Sequence, residues 1–358
     1  MTVVQPTSIG EVSSAIPQGR SWVVRGSGTK PGLARAGDGH CLLDLSRLAG
    51  ILEHTPEECT FTALAGTSIA DIERALAPHG QYLPFDPPLV AAGATIGGTV
   101  AAGVNGSCRY RFGGIRDFLI GIRMVDGEGR IIHSGGKVVK NAAGFLLHQA
   151  MVGSCGRLGV VAELTFKVFP APAAHATVRL DTDDLVSSLE MMAAIQQQRF
   201  DLEAIDLAPP GVLTLRIGGA SEAIDERATA LARAVGRQSR ILTGSDDTAV
   251  WQETRDLSWA AADAALVRVP LSLPRVQALD AALAADEGAR RYAVAGNLAW
   301  IGWQGRIATL DGILRAQGLV GQVLSGAPGS PFIGAIAPNP FEQRLRSVLD
   351  PSGRLAEA

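Results

Sequence analysis

The feature that most restricts this chain is the run from Pro84 to Gly121, which is filled with Gly, Ala and Pro and is nevertheless apolar. A flexible linker is polar and Ser-rich, so this run belongs to a folded body. Connections this long without regular structure are uncommon, and those that exist usually serve a function. An ordinary loop region and a main chain laid against a ligand are the two readings, and the length favours the second. Gly accounts for 42 of the 358 residues, which lets the backbone turn sharply or run close to a neighbour.

Three glycine-bearing bends stand in the N-terminal half. The first, Arg25-Gly26-Ser27-Gly28-Thr29-Lys30, follows the strand-like Ser21 to Arg25. Such a loop can aim several backbone N–H groups at phosphate oxygens. It is neither a Rossmann turn, because Pro31-Gly32 prevents a helix start, nor a Walker A loop, because no Ser or Thr follows Lys30. Alone it is as compatible with a plain turn. The second is Ala94-Thr95-Ile96-Gly97-Gly98-Thr99-Val100-Ala101-Ala102-Gly103, preceded by Phe85-Asp86-Pro87-Pro88. Small residues in series suit either a flat ligand on the main chain or close backbone packing. The third runs through Val139-Lys140-Asn141-Ala142-Ala143-Gly144-Phe145 and then Val152-Gly153-Ser154-Cys155-Gly156-Arg157-Leu158-Gly159-Val160-Val161. Three such bends in one lobe point to a shared purpose.

Bulk properties narrow the function. The net charge of −3 gives no general attraction to nucleic acid. The cysteines Cys41, Cys59, Cys108 and Cys155 form no CxxC pair, which argues against a zinc or iron–sulfur site and for a reducing compartment. Met1 to Arg20 lacks the basic head and apolar run of a secretory signal, and no stretch is long enough to span a bilayer. The expectation is a cytoplasmic protein with no metal, reaching the inner membrane only through partners.

The coarse pattern predicts helices over Thr7 to Ile16 and Ser68 to His79, with Ser8 and Ser68 as caps and Gly80 as a stop. Strands are expected over Cys41 to Leu45, Thr60 to Ala65, Leu119 to Asp126, Ile131 to Ser134 and Gly159 to Phe169, the third and fourth forming a hairpin. Beyond Pro172 a strand–helix–strand–strand–helix pattern occurs twice, over 176–236 and 265–317, separated by a less regular section around Trp251 to Trp259. This predicts a mixed sheet with helices on one side. Trp300 and Trp303 are expected on one face of a strand as packing anchors, and Phe341 to Leu349 as a last helix.

Taken together the three bends resemble the FAD-binding domain of the vanillyl-alcohol oxidase and p-cresol methylhydroxylase (PCMH) superfamily. The marks are the Arg25-Gly26-Ser27-Gly28-Thr29 loop, the block holding Pro84-Phe85-Asp86-Pro87, Ala94-Thr95-Ile96-Gly97-Gly98, Asn105-Gly106 and Arg116-Asp117, and the run Gly153 to Lys167. Within that superfamily the chain is most similar to FAD-binding E subunits of bacterial glycolate oxidase, through 138–145, Asn297 to Gly305 and Leu349 to Leu355. The resemblance implies an α+β fold: a PCMH-type domain of two α+β subdomains over 1–170, a smaller ferredoxin-like cap over 171–335, and a tail over 336–358 packing back on the first domain. It implies FAD, with Arg25 to Lys30 at the pyrophosphate. Asp86, Thr95, Ile96, Gly97, Gly98, Thr99, Ala102, Gly103 and Asn105 would line the flavin and its ribityl chain. Gly153, Ser154, Gly156, Leu158, Gly159, Val160 and Val161 would contact the adenosine. Some relatives bind flavin covalently through a histidine in the first loop; none stands here, so a non-covalent FAD is expected.

The function implied is the FAD-binding subunit of a complex oxidising glycolate, a small 2-hydroxy acid, to glyoxylate. Its partners would be a D-type flavoprotein subunit and an iron–sulfur subunit. Oxidation of a 2-hydroxy acid usually needs a base and a cation for the carboxylate. None of the six histidines (His40, His54, His79, His133, His148, His175) lies beyond residue 175, and the histidine-rich metal motif of the D-type subunit's cap is missing. No catalytic residue is assigned. Arg109, Tyr110 and Arg111 could hold a carboxylate, although surface positions suit the arginines better. Lys137 and Lys140 read as solvated, His148 as structural and Cys155 as a small filler. A self-sufficient FAD-dependent 2-hydroxy-acid dehydrogenase and a non-catalytic flavin-binding scaffold remain as alternatives.

Overall fold

Two sheets and one short helix shape the part of the chain that carries the bends. The structure is a computed structural model, and it describes residues 2–136, 146–236, 239–284, 288–326 and 330–356. The chain divides into two units: one of 1–105, 114–170 and 337–358, the other of 106–113 and 171–336.

In the first unit the parallel strands β1 (Val3–Val4), β2 (Trp22–Arg25) and β3 (Cys41–Asp44) form a small sheet in the order β1-β3-β2, with α1 (Ile9–Ala15) between β1 and β2. Ser8 caps α1 by accepting from the Glu11 amide. A five-stranded antiparallel sheet follows, built from β4 (Ile51–Thr55), β5 (Thr60–Leu64), β7 (Leu119–Val125), β8 (Ile131–Gly135) and β9 (Val160–Lys167) in the order β4-β5-β9-β7-β8. The expected hairpin is β7–β8, and the buried Asp126 carboxylate closes its turn by accepting from the Glu128 and Arg130 amides. Helix α2 (Ile69–Leu76) has Ser68 as its cap and buries Ile69, Ile72 and Leu76. The strands β6 (Gln81–Tyr82) and β10 (Phe169–Pro170) pair with each other.

The small-residue run departs from expectation: it contains a helix, α3 (Ile96–Ala102). Gly97 and Gly98 disfavour a helix by about 1 kcal/mol each relative to Ala. Its ends nevertheless carry the right signals. The Thr95 hydroxyl accepts from the Gly98 amide at 3.3 Å, and Gly103 leaves with φ +64. The turn α4 (Arg109–Phe112) falls in the second unit, while α5 (Ile115–Phe118) and α6 (Leu147–Ala150) belong to the first. Phe85 anchors the proline-rich block: it is fully buried against Phe118 and Phe166, with ring centroids 5.7 Å from each.

The second unit is one nine-stranded antiparallel sheet. Its first half is β11 (Ala174–Asp181), α7 (Leu185–Gln196), β12 (Ala204–Ala208), β13 (Val212–Gly219), α8 (Ser221–Val235) and β14 (Ser239–Thr243). After α9 (Gly244–Asp256) the second half repeats the plan with β15 (Ala265–Pro270), α10 (Val276–Leu283), β16 (Ala289–Ala293), β17 (Leu298–Trp303), α11 (Ile307–Ala316) and β18 (Val320–Val323), and β19 (Phe332–Gly334) closes the edge. The order β14-β11-β13-β12-β16-β17-β15-β18-β19 shows two ferredoxin-like βαββαβ units joined through their second strands, at Leu207 and Tyr292. Residues of α7, α8, α10 and α11 pack in one core with the strand residues in register on one face, among them Val178, Leu215, Ile205, Ala299 and Ile301. Helix α9 and β14 were not expected. The α9 residue Trp251 packs with Cys108 and Ala204, whose strand neighbour Ile205 belongs to the core on the opposite face. Trp300 and Trp303 do not share a face. With a period of two, Trp303 joins Ile301 and Ala299 in the core while Trp300 points the other way. No helix among the described residues is long and apolar enough to cross a membrane.

The tail returns to the first unit as α12 (Pro340–Leu349). Its hold is Asp350, whose carboxylate accepts from the Arg354 amide at 2.8 Å and the Leu355 amide at 3.0 Å, while Ala356 and Arg354 bond to the Trp22 backbone. Asp350 is 4% exposed, so its bonds are shielded from water. The variant Asp350→Ala is expected to lose about 2–4 kcal/mol of stability, read as a lower urea midpoint at unchanged slope.

Candidate functional site

Three stretches of the first unit, distant in sequence, meet on α3. At its start, a Cβ on Gly26 would lie 2.3 Å from Thr95 Oγ1, so only glycine lets the first loop pass the helix cap. Along its side, the Gly97 amide donates to the Ala65 carbonyl at 2.9 Å, and a Cβ there would come within 2.6 Å of Ala65 Cβ. At its end, the Gly153 amide donates to Val100 O at 2.9 Å and the Cys155 amide to Ala101 O at 2.8 Å. These bonds satisfy carbonyls of the last helical turn. Gly156, at φ +77, sits with its Cβ position 3.2 Å from Val24 of β2, which ties the third bend to the first.

Between these elements lies a narrow, partly open cleft of about 60 Å³, bordered by Val24, the whole loop Arg25, Gly26, Ser27, Gly28, Thr29 and Lys30, and by Thr95, Gly98, Ala102 and Cys155. A second compartment of about 40 Å³ shares Val24, Gly26, Gly98 and Ala101 with it, and adds Gly97, Ser154, Gly156, Gly159 and Val161. Sequence reasoning missed Val24, Leu33, Ala34, Leu45, Ala65 and Ala101, which also border these spaces. Ala101 lies inside the recognised small-residue run 94–103, which was the available signal; Ala65 adjoins no residue singled out in the sequence.

The electrostatics of the cleft are asymmetric. Arg25 is ion-paired with Asp44 at 2.8 Å. Burial alone would raise the Asp44 carboxyl, but hydrogen bonds from Ser46 and Arg25 outweigh it and hold the group below its ordinary value. Lys30 is different: it is 7% exposed, its ammonium reaches the Thr29 hydroxyl at 3.1 Å, and no ion pair to it occurs among the described residues. Ser154 is also buried, and its hydroxyl has no hydrogen-bond partner among the described residues. A Cβ on Gly98 would meet only Thr95 Oγ1, at 3.0 Å, and one on Gly28 only the Arg25 side chain, at 3.4 Å, so both glycines leave the cleft open. A buried cation, an unpartnered hydroxyl and exposed main chain fit an anionic nucleotide.

Other expected residues lie outside these linings. Asp86 stands in a turn at φ +50 with its amide on Leu83 O. Ile96, Thr99 and Val160 are fully buried, and the Thr99 hydroxyl bonds Thr95 O. Gly103 abuts Gly153, while the Asn105 side chain accepts from the Ile115 amide and donates to Gly103 O. Gly153 and Leu158 border a separate groove with Phe341 and Glu342 of α12. Residues 137–145, which hold Lys137 and the Val139 to Phe145 segment with Lys140, lie outside the described residues.

The proposed carboxylate holders belong to the second unit. Arg109 is exposed, Tyr110 packs on that unit's core with its hydroxyl pKa raised by burial, and Arg111 pairs with Asp201 at 3.0 Å. His148 is held by Ser134, and burial, then Arg116, push its imidazole below the ordinary value.

Residues 2–135 match the family described as an FAD binding domain. The chain is 32% identical over 348 residues to glycolate oxidase subunit GlcE of Escherichia coli (strain K12), covering 96% of this chain and 93% of that one. It is 34% identical over 188 residues to glycolate oxidase subunit GlcD of Bacillus subtilis (strain 168), which covers 52% of this chain but only 38% of the relative. Among solved structures, an alkyldihydroxyacetonephosphate synthase superimposes over 99% of this chain and 76% of its own with a TM-score of 0.73 at 14% identity, a likeness of fold. With near-complete coverage of a relative above 30% identity and an FAD-binding domain around the cleft, the chain belongs to the family of FAD-binding proteins that includes glycolate oxidase subunit GlcE.

Proposed function

We propose that this protein is the FAD-carrying subunit of a complex that oxidises glycolate to glyoxylate, working with a D-type flavoprotein subunit and an iron–sulfur subunit. The observation that carries this reading is the convergence of all three bends on α3 around one cleft, in a chain alike to GlcE over nearly its whole length. Bound FAD supplies the two-electron oxidant for a hydroxyl-bearing carbon. The main-chain amides of Gly26 to Thr29, with Lys30, hold the diphosphate. Ser154, Gly156, Gly159 and Val161 hold the adenosine end, and Thr95, Gly97, Gly98 and Ala102 flank the chain between. Asp86, Ile96, Thr99, Gly103, Asn105, Gly153, Leu158 and Val160 act from behind the lining, by fixing α3 and its neighbouring bends.

The histidine-free sequence beyond residue 175 supports a division of labour in which the sister flavoprotein provides the base for the substrate hydroxyl. Loss of this subunit should then abolish glycolate-dependent dye reduction in extracts. Re-supplying the D-type subunit alone should leave activity absent, and its return would overturn the proposal. The self-sufficient alternative would show as bleaching of the isolated chain's flavin by glycolate or D-lactate.

FAD is held without a covalent bond, since the first loop carries no histidine. Acid precipitation is expected to release all yellow colour into the supernatant, and colour in the pellet would refute this. For the cleft, Gly98 is the better probe than Gly28. Gly28 has φ +80, where any side chain is strained with or without ligand, whereas Gly98 is helical. Gly98→Leu is expected to keep the melting temperature within a few degrees and to lose FAD by at least about 100-fold in affinity, a change of roughly 2.7 kcal/mol. Unchanged flavin content would remove the cleft from consideration.

A further inference from the structure

We propose that Lys30 is a proton-dependent lock on the cofactor diphosphate, so that this protein holds FAD tightly at neutral pH and sheds it on alkalinisation. The inference rests on the FAD reading above and adds a regulation to it. Its basis is geometric. Lys30 borders the same cleft as Gly26, Ser27, Gly28 and Thr29. Only 7% of the residue is exposed, and its ammonium has the neutral Thr29 hydroxyl, at 3.1 Å, as its hydrogen-bond partner. A buried ammonium without a carboxylate is costly, and proteins tolerate it where an anion completes the site. The other ionisable side chains bordering this cleft do not serve as that anion or as a competing cation. Arg25 is committed to Asp44 at 2.8 Å, and Cys155 is a thiol whose Sγ lies 3.6 Å from Gly153 O.

Burial lowers the Lys30 ammonium from 10.5 to about 8 in the empty protein. A diphosphate beside it favours the charged form and raises that value again. Between the two values the bound state holds a proton that the free state lacks, so affinity falls as pH rises. Below about 8 the ammonium is charged in both states and affinity is flat. The empty protein behaves oppositely. Its depressed lysine binds the proton less well than the unfolded chain does, so its folding stability rises as pH climbs from about 8 to 10.5.

The test titrates the flavin-free full chain with FAD, and separately with ADP and adenosine, between pH 7 and pH 9.5, for the wild type and Lys30→Met. ADP has no flavin ring to titrate, and its terminal phosphate ionises near pH 6, below the window. The expected wild-type result is an ADP and FAD affinity that drops about tenfold or more across the window, with adenosine unaffected. Lys30→Met is expected to bind FAD and ADP at least tenfold more weakly at pH 7, with no pH slope, while its flavin-free form melts higher than the wild type at pH 7. Wild-type affinity that is flat with pH, or a variant that binds ADP as well as the wild type, would overturn the lock and leave the FAD assignment intact. A wild type that binds neither FAD nor ADP would overturn both. A variant that loses affinity and also melts lower would mark Lys30 as a packing residue and overturn the lock.

Discussion

The main chain of α3 bonds two other stretches of main chain, at Ala65 and at Gly153 to Cys155, while its Thr95 cap lies against the first loop, and the first unit is organised around that demand. A Cβ closer than about 3 Å to another heavy atom forces something to move, and Gly26 and Gly97 would both create such contacts, at 2.3 Å and 2.6 Å. Gly66 is tighter still, since its Cβ would lie 2.1 Å from the Leu45 carbonyl. Glycine therefore does two things in the same place. It permits backbone-to-backbone packing on one side of the helix, and it leaves the opposite side unfilled. The cleft is the space that side chains would otherwise occupy. The helix pays about 1 kcal/mol for each interior glycine, and the Thr95 cap with the amides of Gly153 and Cys155 offsets part of this.

This double use explains what was legible in the sequence. Periodic, capped elements could be read directly: α1 and α2 begin at Ser8 and Ser68, and the β7–β8 hairpin turns where Gly and Asp stand. The three bends announced themselves through composition. Helix α3 did not, because Gly97-Gly98 carries a propensity against helix that only the surrounding contacts reverse. Helix α9 hid for a related reason. Its buried residues are Asp247 and Trp251, and Asp247 is tolerable inside only because Thr177 and Arg216 bond to its carboxylate. A pattern of apolar residues cannot show a buried face made of a network. Thr99 and Asn105, expected at the flavin, spend side-chain hydrogen bonds on neighbouring backbone.

The second unit obeys a simpler rule. A ferredoxin-like half leaves its second strand at an edge, and an exposed edge is a liability. Joining β12 to β16 removes one edge from each half and lets a single core continue past the join, where Leu207 meets Tyr292. The Tyr292 hydroxyl is satisfied by Asp280, which in turn holds Arg290. Burial and the Asp280 charge push the tyrosine pKa far up, so it stays a neutral donor. The same sheet spends other cations internally, Arg216 on Asp247 and Arg291 on Glu253. Such pairing is structural, and it accords with a unit whose sequence offers no histidine beyond residue 175.

Charge is distributed in the cleft by the same logic of commitment. Arg25 is the first residue of the bend that the family resemblance places at the pyrophosphate. In the fold it is neutralised by Asp44, which also caps the turn after β3 by accepting from Ser46. This pair joins β2 to β3 at the start of the loop. The charge with no ion pair among the described residues sits five residues later, at Lys30, where burial leaves little water to screen it. Main-chain hydrogen bonds contribute about 0.5–1.5 kcal/mol each, and bonds to a charged group about twice that. In a lining whose other cation, Arg25, is paired with Asp44, the buried Lys30 ammonium therefore sets the electrostatic preference for an anion, and its protonation sets how firmly that anion is held.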